Sequence, residues 1–319
     1  MRGRFAPSPS GRMHLGNVYS ALLSYLSAHK KGGEWILRVE DLDRQRCKKE
    51  YSAQLLDDLL WLGLKWDNFS PAQGGLAPEF YQSNRDSFYI KAFDSLCGQG
   101  LVYDCFCNRA DLLASSAPHP TDGHFIYSGK CRNLSENEKS ILWKKLASEN
   151  RAPAKRIRLE NREVSFVDGH FGFQSCNLER DFGDFIIRRG DDNFAYQLAV
   201  VVDDALMGVT EIVRGRDLLT STPCQIFIYE KLGFKAPEFY HLPLLLSTDG
   251  RRLSKRDRDI DMGFLRQNFS REEILGKILF LSGCLEKEEK ISIDDAVEAF
   301  DWKKVKTEDI FAETLPGLK

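Results

Sequence analysis

Residues 4–17 read Arg4-Phe-Ala-Pro-Ser-Pro-Ser-Gly-Arg-Met-His14-Leu-Gly16-Asn17. Arg4-Phe5-Ala6 begins a short strand, which Pro7 and Pro9 cut. Two prolines around Ser8 impose an extended, stiff segment. Gly11 and Gly16 flank His14, and a helix follows with Val18, Ala21, Leu22, Tyr25 and Leu26 at helical spacing, stopped by Gly32-Gly33. A strand, a glycine-bearing turn and a helix start in that order leave unpaired N–H groups and partial positive charge at the turn, a ready site for phosphate. His14 adds a donor for a phosphate oxygen. Gly16 lets an adenine or ribose come close to the backbone.

Outward from this stretch, Trp35–Val39 reads as a buried strand ending in the acidic cluster Glu40, Asp41 and Asp43, and Tyr51–Leu62 as an amphipathic helix. Strand–helix–strand–helix is the pattern of a parallel sheet. Residues 105–180 differ, being rich in Cys, Gly, Ser and Pro with short strand-like runs at Lys155–Leu159 and Val164–Val167. The α/β pattern resumes at Asp184–Arg188, with a helix at Tyr196–Asp203, a strand at Thr210–Val213 and a helix at Pro223–Lys231. From Met262 the chain reads as helical. The expected fold is therefore α/β, a Rossmann-type parallel sheet with an inserted α+β subdomain and a helical C-terminal part. Its expected divisions are 1–104 and 184–261 for the two halves of the core, 105–183 for the insertion, and 262–319 for the helical region. No internal repeat or low-complexity segment is visible.

The chain has 319 residues, 42% apolar and 29% charged, which fits a globular protein with a sizeable core. A net charge of −2 gives no overall basic signature of the kind nucleic-acid binders often carry. A local basic run, Lys144, Lys145, Arg151, Lys155, Arg156 and Arg158, reads equally as an RNA-facing patch or as a solvated helix face followed by a strand edge. No run of about 20 apolar residues and no signal peptide is apparent, so a cytoplasmic location without membrane contact is expected. Eight cysteines in a chain of this size read as mainly buried thiols, with metal ligation the exception to look for.

A second motif, Leu253-Ser-Lys255-Arg256, lies in a basic loop after a strand. A lysine on a mobile loop closes over a polyphosphate and stabilises charge on a departing pyrophosphate. Alone it is a solvated basic loop; paired with the His14 turn across a βα core it resembles the HIGH and KMSKS signatures of class I aminoacyl-tRNA synthetases. Substrate choice is suggested by three strand ends. Arg4 closes the first strand, Glu40 the second and Arg214 the strand Thr210–Val213. Ligands of open α/β sheets sit beyond the carboxyl ends of the strands. Two guanidiniums, one carboxylate and Tyr196 there suit an amino acid with two carboxylates and one ammonium, that is, glutamate.

Residues 4–11, His14-Leu-Gly, Leu37–Asp41, Phe194–Asp204 and Gly208–Gly215 are similar to glutamyl-tRNA synthetases, over roughly residues 2–260. The chain resembles in particular the glutamyl-Q tRNA(Asp) synthetase subfamily. It ends at 319, too short for the anticodon-binding domain of the full synthetases. It carries Val200 where their tyrosine helix usually has Asn. Its Cys105-Phe-Cys107 and Tyr127-Ser-Gly-Lys-Cys131 resemble the subfamily's zinc site. The resemblance implies that Arg4, Phe5, Ala6, Pro7, Ser8, Glu40, Tyr196 and Arg214 bind L-glutamate. It implies that His14, Gly16 and Lys255 bind ATP, with His14 and Lys255 acting in catalysis, and that magnesium accompanies the pyrophosphate. The acceptor it implies is queuosine in the anticodon stem-loop of tRNA(Asp); no protein partner is expected. Arg252 stands where the family's loop often has Lys, which keeps the charge but changes the donor geometry. On spacing alone, three cysteines leave the fourth zinc ligand open among Tyr127, His124 and His119. The resemblance favours Tyr127. Three other readings remain: a short glutamyl-tRNA synthetase charging the tRNA 3′ end, a non-catalytic glutamate- or tRNA-binding paralogue, and a small-molecule adenylyltransferase.

Overall fold

A computed structural model describes residues 1–108, 117–118, 125–247, 250 and 260–311. The strand β1 (Arg2–Phe5) leads into the helix α1 (Leu15–Lys30), and β2 (Glu34–Leu37) returns parallel to β1 with Arg4 opposite Ile36. After α2 (Lys49–Trp61) and α3 (Asp86–Gly98), the strand β3 (Val102–Cys105) pairs antiparallel with β4 (Ala154–Ile157). Between them lies α4 (Glu136–Ser148), opened by a capping box in which Ser135 and Glu138 satisfy each other's backbone N–H groups. A hairpin of β5 (Glu163–Asp168) and β6 (Gly172–Asn177) follows, and β7 (Ile186–Arg188) completes the sheet on β4.

The chain then forms α5 (Tyr196–Leu206), β8 (Glu211–Gly215), α6 (Thr222–Lys231) and β9 (Glu238–Leu242). β9 runs parallel to β8, with His241 opposite Arg214. β8 lies along the other edge of β1, where the Thr210 N–H donates to the Arg2 carbonyl at 2.9 Å. The C-terminal part holds α7 (Met262–Asn268), α8 (Arg271–Ser282) and α9 (Ile293–Ala299). It is not helical throughout. The strand pair β10 (Leu245–Leu246) and β11 (Ile310–Phe311) is parallel, so the end of the described chain returns to the core.

The period-2 alternation of strands sends successive side chains to opposite faces. Phe5, Trp35, Leu37, Val39 and Val213 point to a core shared with α1, α2 and α8. Ile36, Ile212 and Phe239 point to a second core under α3, α5 and α6. Gly3 lies on the α1 face, where an added Cβ would sit 3.2 Å from that of Ala28, so glycine lets the helix approach the strand. This two-faced burial of short parallel strands is the doubly wound α/β arrangement. Among the described residues, no helix is long and apolar enough to cross a membrane.

Candidate active site and cysteine cluster

Parity decides which charges meet. With Phe5, Val39 and Val213 committed to the α1 face, Arg4, Arg38, Glu40 and Arg214 must emerge on the face covered by α5. All four are buried, and α5 brings Asp203 and Asp204 onto them. Arg38, with no exposed surface, donates to Asp204 Oδ1 at 2.6 Å and to Glu40 Oε1 at 3.0 Å, and lies 3.7 Å from Asp203. Asp203 accepts from Arg85 Nε (2.6 Å), Gln82 (2.8 Å) and the Tyr89 hydroxyl (2.8 Å), which ties α3 to α5. Arg4 donates to the Val213 carbonyl at 3.2 Å and pairs with Asp204 at 3.5 Å. Arg214 donates through Nε to His241 Nε2 at 3.0 Å and through Nη2 to Thr222 Oγ1 at 2.8 Å.

These contacts leave a surplus. Eight buried side-chain polar atoms among the described residues have no hydrogen-bond partner, and five of them belong here: Arg4 Nε, Arg38 Nε, Arg214 Nη1, Asp204 Oδ2 and the Tyr229 hydroxyl. An unpaired buried polar group costs about 1–3 kcal/mol, so five in one place mark a cleft shaped for a polar, charged ligand. Burial pushes the Glu40 carboxyl up, against the pull of Arg38 and Arg4. An ammonium placed beside it would restore its charged form. Burial and the Glu40 charge push the Tyr196 hydroxyl up to about 12, so it stays a donor. Protein crowds Tyr196 on most sides, yet 37% of it remains accessible, as befits a residue in the wall of an open cleft. Burial, with Arg4 nearby, lowers Arg214 below the ordinary guanidinium value, and an incoming carboxylate would reverse that shift.

Arg4, Glu40, Tyr196 and Arg214 are thus brought together; the other expected glutamate residues stand differently. Ser8 is exposed at the rim and Pro7 accepts from Glu40 N at 2.9 Å. Ala6 is half-buried. Phe5 stacks on Trp35 on the far face of the sheet, so only its backbone is available to the cleft. His14 is the N-cap of α1, and its Nδ1 accepts from Gly16 N at 3.1 Å. The ring proton of the neutral imidazole therefore sits on Nε2, the atom that would donate to a phosphate. A Cβ on residue 16 would lie 3.0 Å from His14 Cε1, so glycine there admits the capping ring. Lys255 and Arg252 lie outside the described residues. Arg38, Asp203, Asp204 and Tyr229 were not among the residues picked from sequence. Arg38 was recoverable from its i, i+2 relation to Glu40, and the two aspartates from a doubled acid in an otherwise apolar helix.

At the other end of β3, the sulfurs of Cys105, Cys107 and Cys131 all lie within 4.8 Å of one another. The Tyr127 hydroxyl stands 3.7 Å from Cys105 Sγ and 3.8 Å from Cys107 Sγ, and Cys107 and Cys131 are 3.6 Å apart. A tetrahedron with metal–sulfur bonds of about 2.3 Å has edges of about 3.8 Å, so the four atoms match a tetrahedral cation site. His119 and His124 lie outside the described residues. The Cys131 N–H donates to the Tyr127 oxygen at 2.8 Å, yet burial and the Cys131 side chain push that hydroxyl well above the usual phenol range, so it ionises only with a cation beside it. Arg156, half of the time readable as part of a basic surface, is buried. Its Nε lies 3.1 Å from Cys105 Sγ and its guanidinium 3.7 Å from the Tyr127 ring centre. A hydrogen bond from Cys131, opposed by burial and helped by Arg156, brings the Cys105 thiol down to about 4. The site can therefore present at least one thiolate at neutral pH. Lys144, Lys145 and Arg151 are exposed on or just after α4.

The family described as "tRNA synthetases class I (E and Q), catalytic domain" matches residues 1–313. The chain belongs to this family. Its members activate glutamate or glutamine and transfer it to tRNA, and the present chain is an ATP-using ligase of that kind. It is 42% identical to a glutamyl-Q tRNA(Asp) synthetase of Symbiobacterium thermophilum, over 99% of this chain and 98% of that one. It is 39% identical to the glutamate–tRNA ligase of a Sulfurihydrogenibium species, covering 94% of this chain and 62% of the ligase. Among solved structures, a glutamate–tRNA synthetase from Elizabethkingia anophelis superposes with a TM-score of 0.81 at 30% identity, over 98% of this chain and 68% of that one.

Proposed function

We propose that this family member activates L-glutamate with ATP as glutamyl-adenylate and passes the glutamyl group to queuosine at the wobble position of tRNA(Asp). One observation carries the amino-acid half. Buried N–H groups of Arg4 and Arg214 without hydrogen-bond partners lie on the same face of the sheet as Glu40, whose carboxyl burial pushes up. Glutamate supplies two carboxylates for the guanidiniums and an ammonium for Glu40. Tyr196 adds a hydroxyl donor, and the segment of Phe5, Ala6, Pro7 and Ser8 supplies backbone groups. His14, Gly16 and Lys255 hold ATP against the start of α1.

A carboxylate oxygen of glutamate then attacks the α-phosphorus. The bond from that phosphorus to the bridging oxygen breaks, and pyrophosphate leaves with its magnesium. No side-chain nucleophile is needed; positioning and the donors of His14, Lys255 and the helix start stabilise the growing charge. In the second step a hydroxyl of the queuosine cyclopentenediol attacks the adenylate carbonyl and AMP departs. The RNA half rests on likeness. The chain is 42% identical to a glutamyl-Q tRNA(Asp) synthetase over 99% of its residues, against 39% to a glutamate–tRNA ligase over 94%.

Cys105, Cys107, Tyr127 and Cys131 would hold zinc. When bound, the ion would supply a structural crosslink between the two arms of the insertion.

Glutamylation with labelled glutamate tests the acceptor. Queuosine-containing tRNA(Asp) is expected to take label, and the same tRNA lacking queuosine is expected to stay blank. Equal labelling of the two removes the proposal. Labelling of tRNA(Glu) in their place supports 3′-end charging, the reading favoured by the 39% identity to a glutamate–tRNA ligase.

A further inference from the structure

We propose that Asp168 and His241 are positioning residues that aim Arg214 at the substrate carboxylate, so that the inserted hairpin reaches into the amino-acid site. The inference rests on reading the cleft as a glutamate site. Asp168 ends β5 and His241 lies on β9, opposite Arg214 in the sheet register. All three are buried, with no exposed side-chain surface on Asp168 or His241. His241 Nδ1 is 2.6 Å from Asp168 Oδ2, and its Nε2 is 3.0 Å from Arg214 Nε.

Hydrogen counting fixes the direction of this chain. A guanidinium Nε–H only donates, so His241 Nε2 must accept. The imidazole proton then resides on Nδ1 and goes to Asp168, and the ring is neutral. Asp168 cannot turn away, because its Oδ1 accepts from the backbone N–H groups of His170 (3.0 Å), Phe171 (2.8 Å) and His241 (3.3 Å). Along the same edge of the guanidinium, Nη2 is held by Thr222 Oγ1, itself 3.3 Å from His241 Nε2. With Nε and Nη2 fixed, the fork has one orientation, and that orientation leaves Nη1 without a partner in the cleft.

An arginine has long, loose torsions, and its bidentate geometry toward a carboxylate is useful only when the plane is set in advance. A hairpin that reads as part of an insertion therefore sets the plane of the substrate-binding arginine. Asp168 and His241 touch no substrate atom in this account; they act through Arg214.

Glutamate-dependent ATP–pyrophosphate exchange on the full chain tests this, with KM measured separately for glutamate and ATP. His241→Leu is expected to raise the glutamate KM about 10–100-fold, the scale of one charge-assisted hydrogen bond, with the ATP KM within about twofold. His241→Gln restores an acceptor for Arg214 and a donor for Asp168 on one amide, and is expected to recover most of the loss. Should His241→Leu fail to fold, Asp168→Asn serves in its place. Its amide oxygen must keep the backbone N–H groups, so its NH2 faces Nδ1 and drives the ring proton to Nε2, against Arg214; the same rise in glutamate KM is expected. A glutamate KM unchanged in these variants, an equal rise for ATP, or equal losses in His241→Leu and His241→Gln overturns the inference. Arg214→Gln is the control for the cleft itself. If that variant leaves the glutamate KM unmoved, the glutamate reading has failed, whatever the histidine variants do.

Discussion

The cleft on the parallel sheet and the cysteine cluster of the insertion are both dense knots of polar atoms, assembled in opposite ways. The cleft draws its groups from β1, β2, α5, β8 and β9, more than 200 residues apart at the extremes, and what remains unsatisfied there is mainly donors on guanidiniums. The cysteine cluster draws Cys105, Cys107, Tyr127 and Cys131 from 27 consecutive positions, and what converges there is lone pairs. Leftover donors invite an anionic ligand that comes and goes. Converging acceptors invite a cation that stays. The cleft can afford a transient occupant because Arg4, Arg38 and Arg85 already balance its acids, whereas three sulfurs within 4.8 Å of one another, with a phenol oxygen 3.7–3.8 Å from two of them, repel one another once ionised, unless a cation lies between them.

Three measurements can break or sharpen this contrast. The largest effect belongs to Arg38, whose removal takes from Asp204, Glu40 and Asp203 the one buried cation that all three share. Arg38→Gln is expected to cost about 3–5 kcal/mol of stability, the usual result of taking one partner from a buried ionic group. Urea unfolding checks it, and a loss under about 1 kcal/mol would mean the cleft is not held together from within.

Next comes acid. Burial, opposed by Asp168, lowers His241 from 6.5 to about 4. The unfolded chain therefore takes up a proton below pH 6.5 that the folded chain refuses until about pH 4. Its contribution to stability is complete above pH 6.5 and is lost as pH falls through that window, about 3 kcal/mol in all. The urea midpoint should fall more steeply with acid in the wild-type chain than in His241→Gln. Parallel curves for the two proteins would show that the ring is not held neutral.

The smallest effect falls on the cysteine side. Arg156→Gln should weaken zinc binding about 10–100-fold without abolishing it, the range seen when a group beside a ligand is lost. Competition against a chromophoric chelator measures it. Unchanged affinity would reduce Arg156 to a packing residue.

How legible each region was in the sequence follows from the same contrast. The strand alternation Leu37-Arg-Val-Glu commits every second side chain, so once Leu37 and Val39 are core, Arg38 and Glu40 share a face. Arg4 and Arg214 could be placed at strand ends by the βαβ pattern alone. The helices at 49–61, 196–206 and 222–231 fall within a few residues of their hydrophobic periods. Arg156 was illegible, because a strand one step from solvent carries the same letters whether its arginine points out or in. Asp168 was illegible for another reason. Its partner His241 is 73 positions away across a sheet, and no local period relates them. Phe5 is the reverse case, a motif neighbour whose side chain the sheet turns toward Trp35 and whose backbone stays on the cleft side.

The parallel pairing of Leu245–Leu246 with Ile310–Phe311 ties the last described residues to the core beside the cleft. Asp309 accepts from the backbone of Leu244 at 2.8 Å and pairs with Arg216 at 2.5 Å, two residues past Arg214. The stretch Leu244–Leu246 is thus clasped by residues 309–311. Residues 309–311 therefore work as a latch, holding the turn that bears Arg216 and the strand end that follows His241.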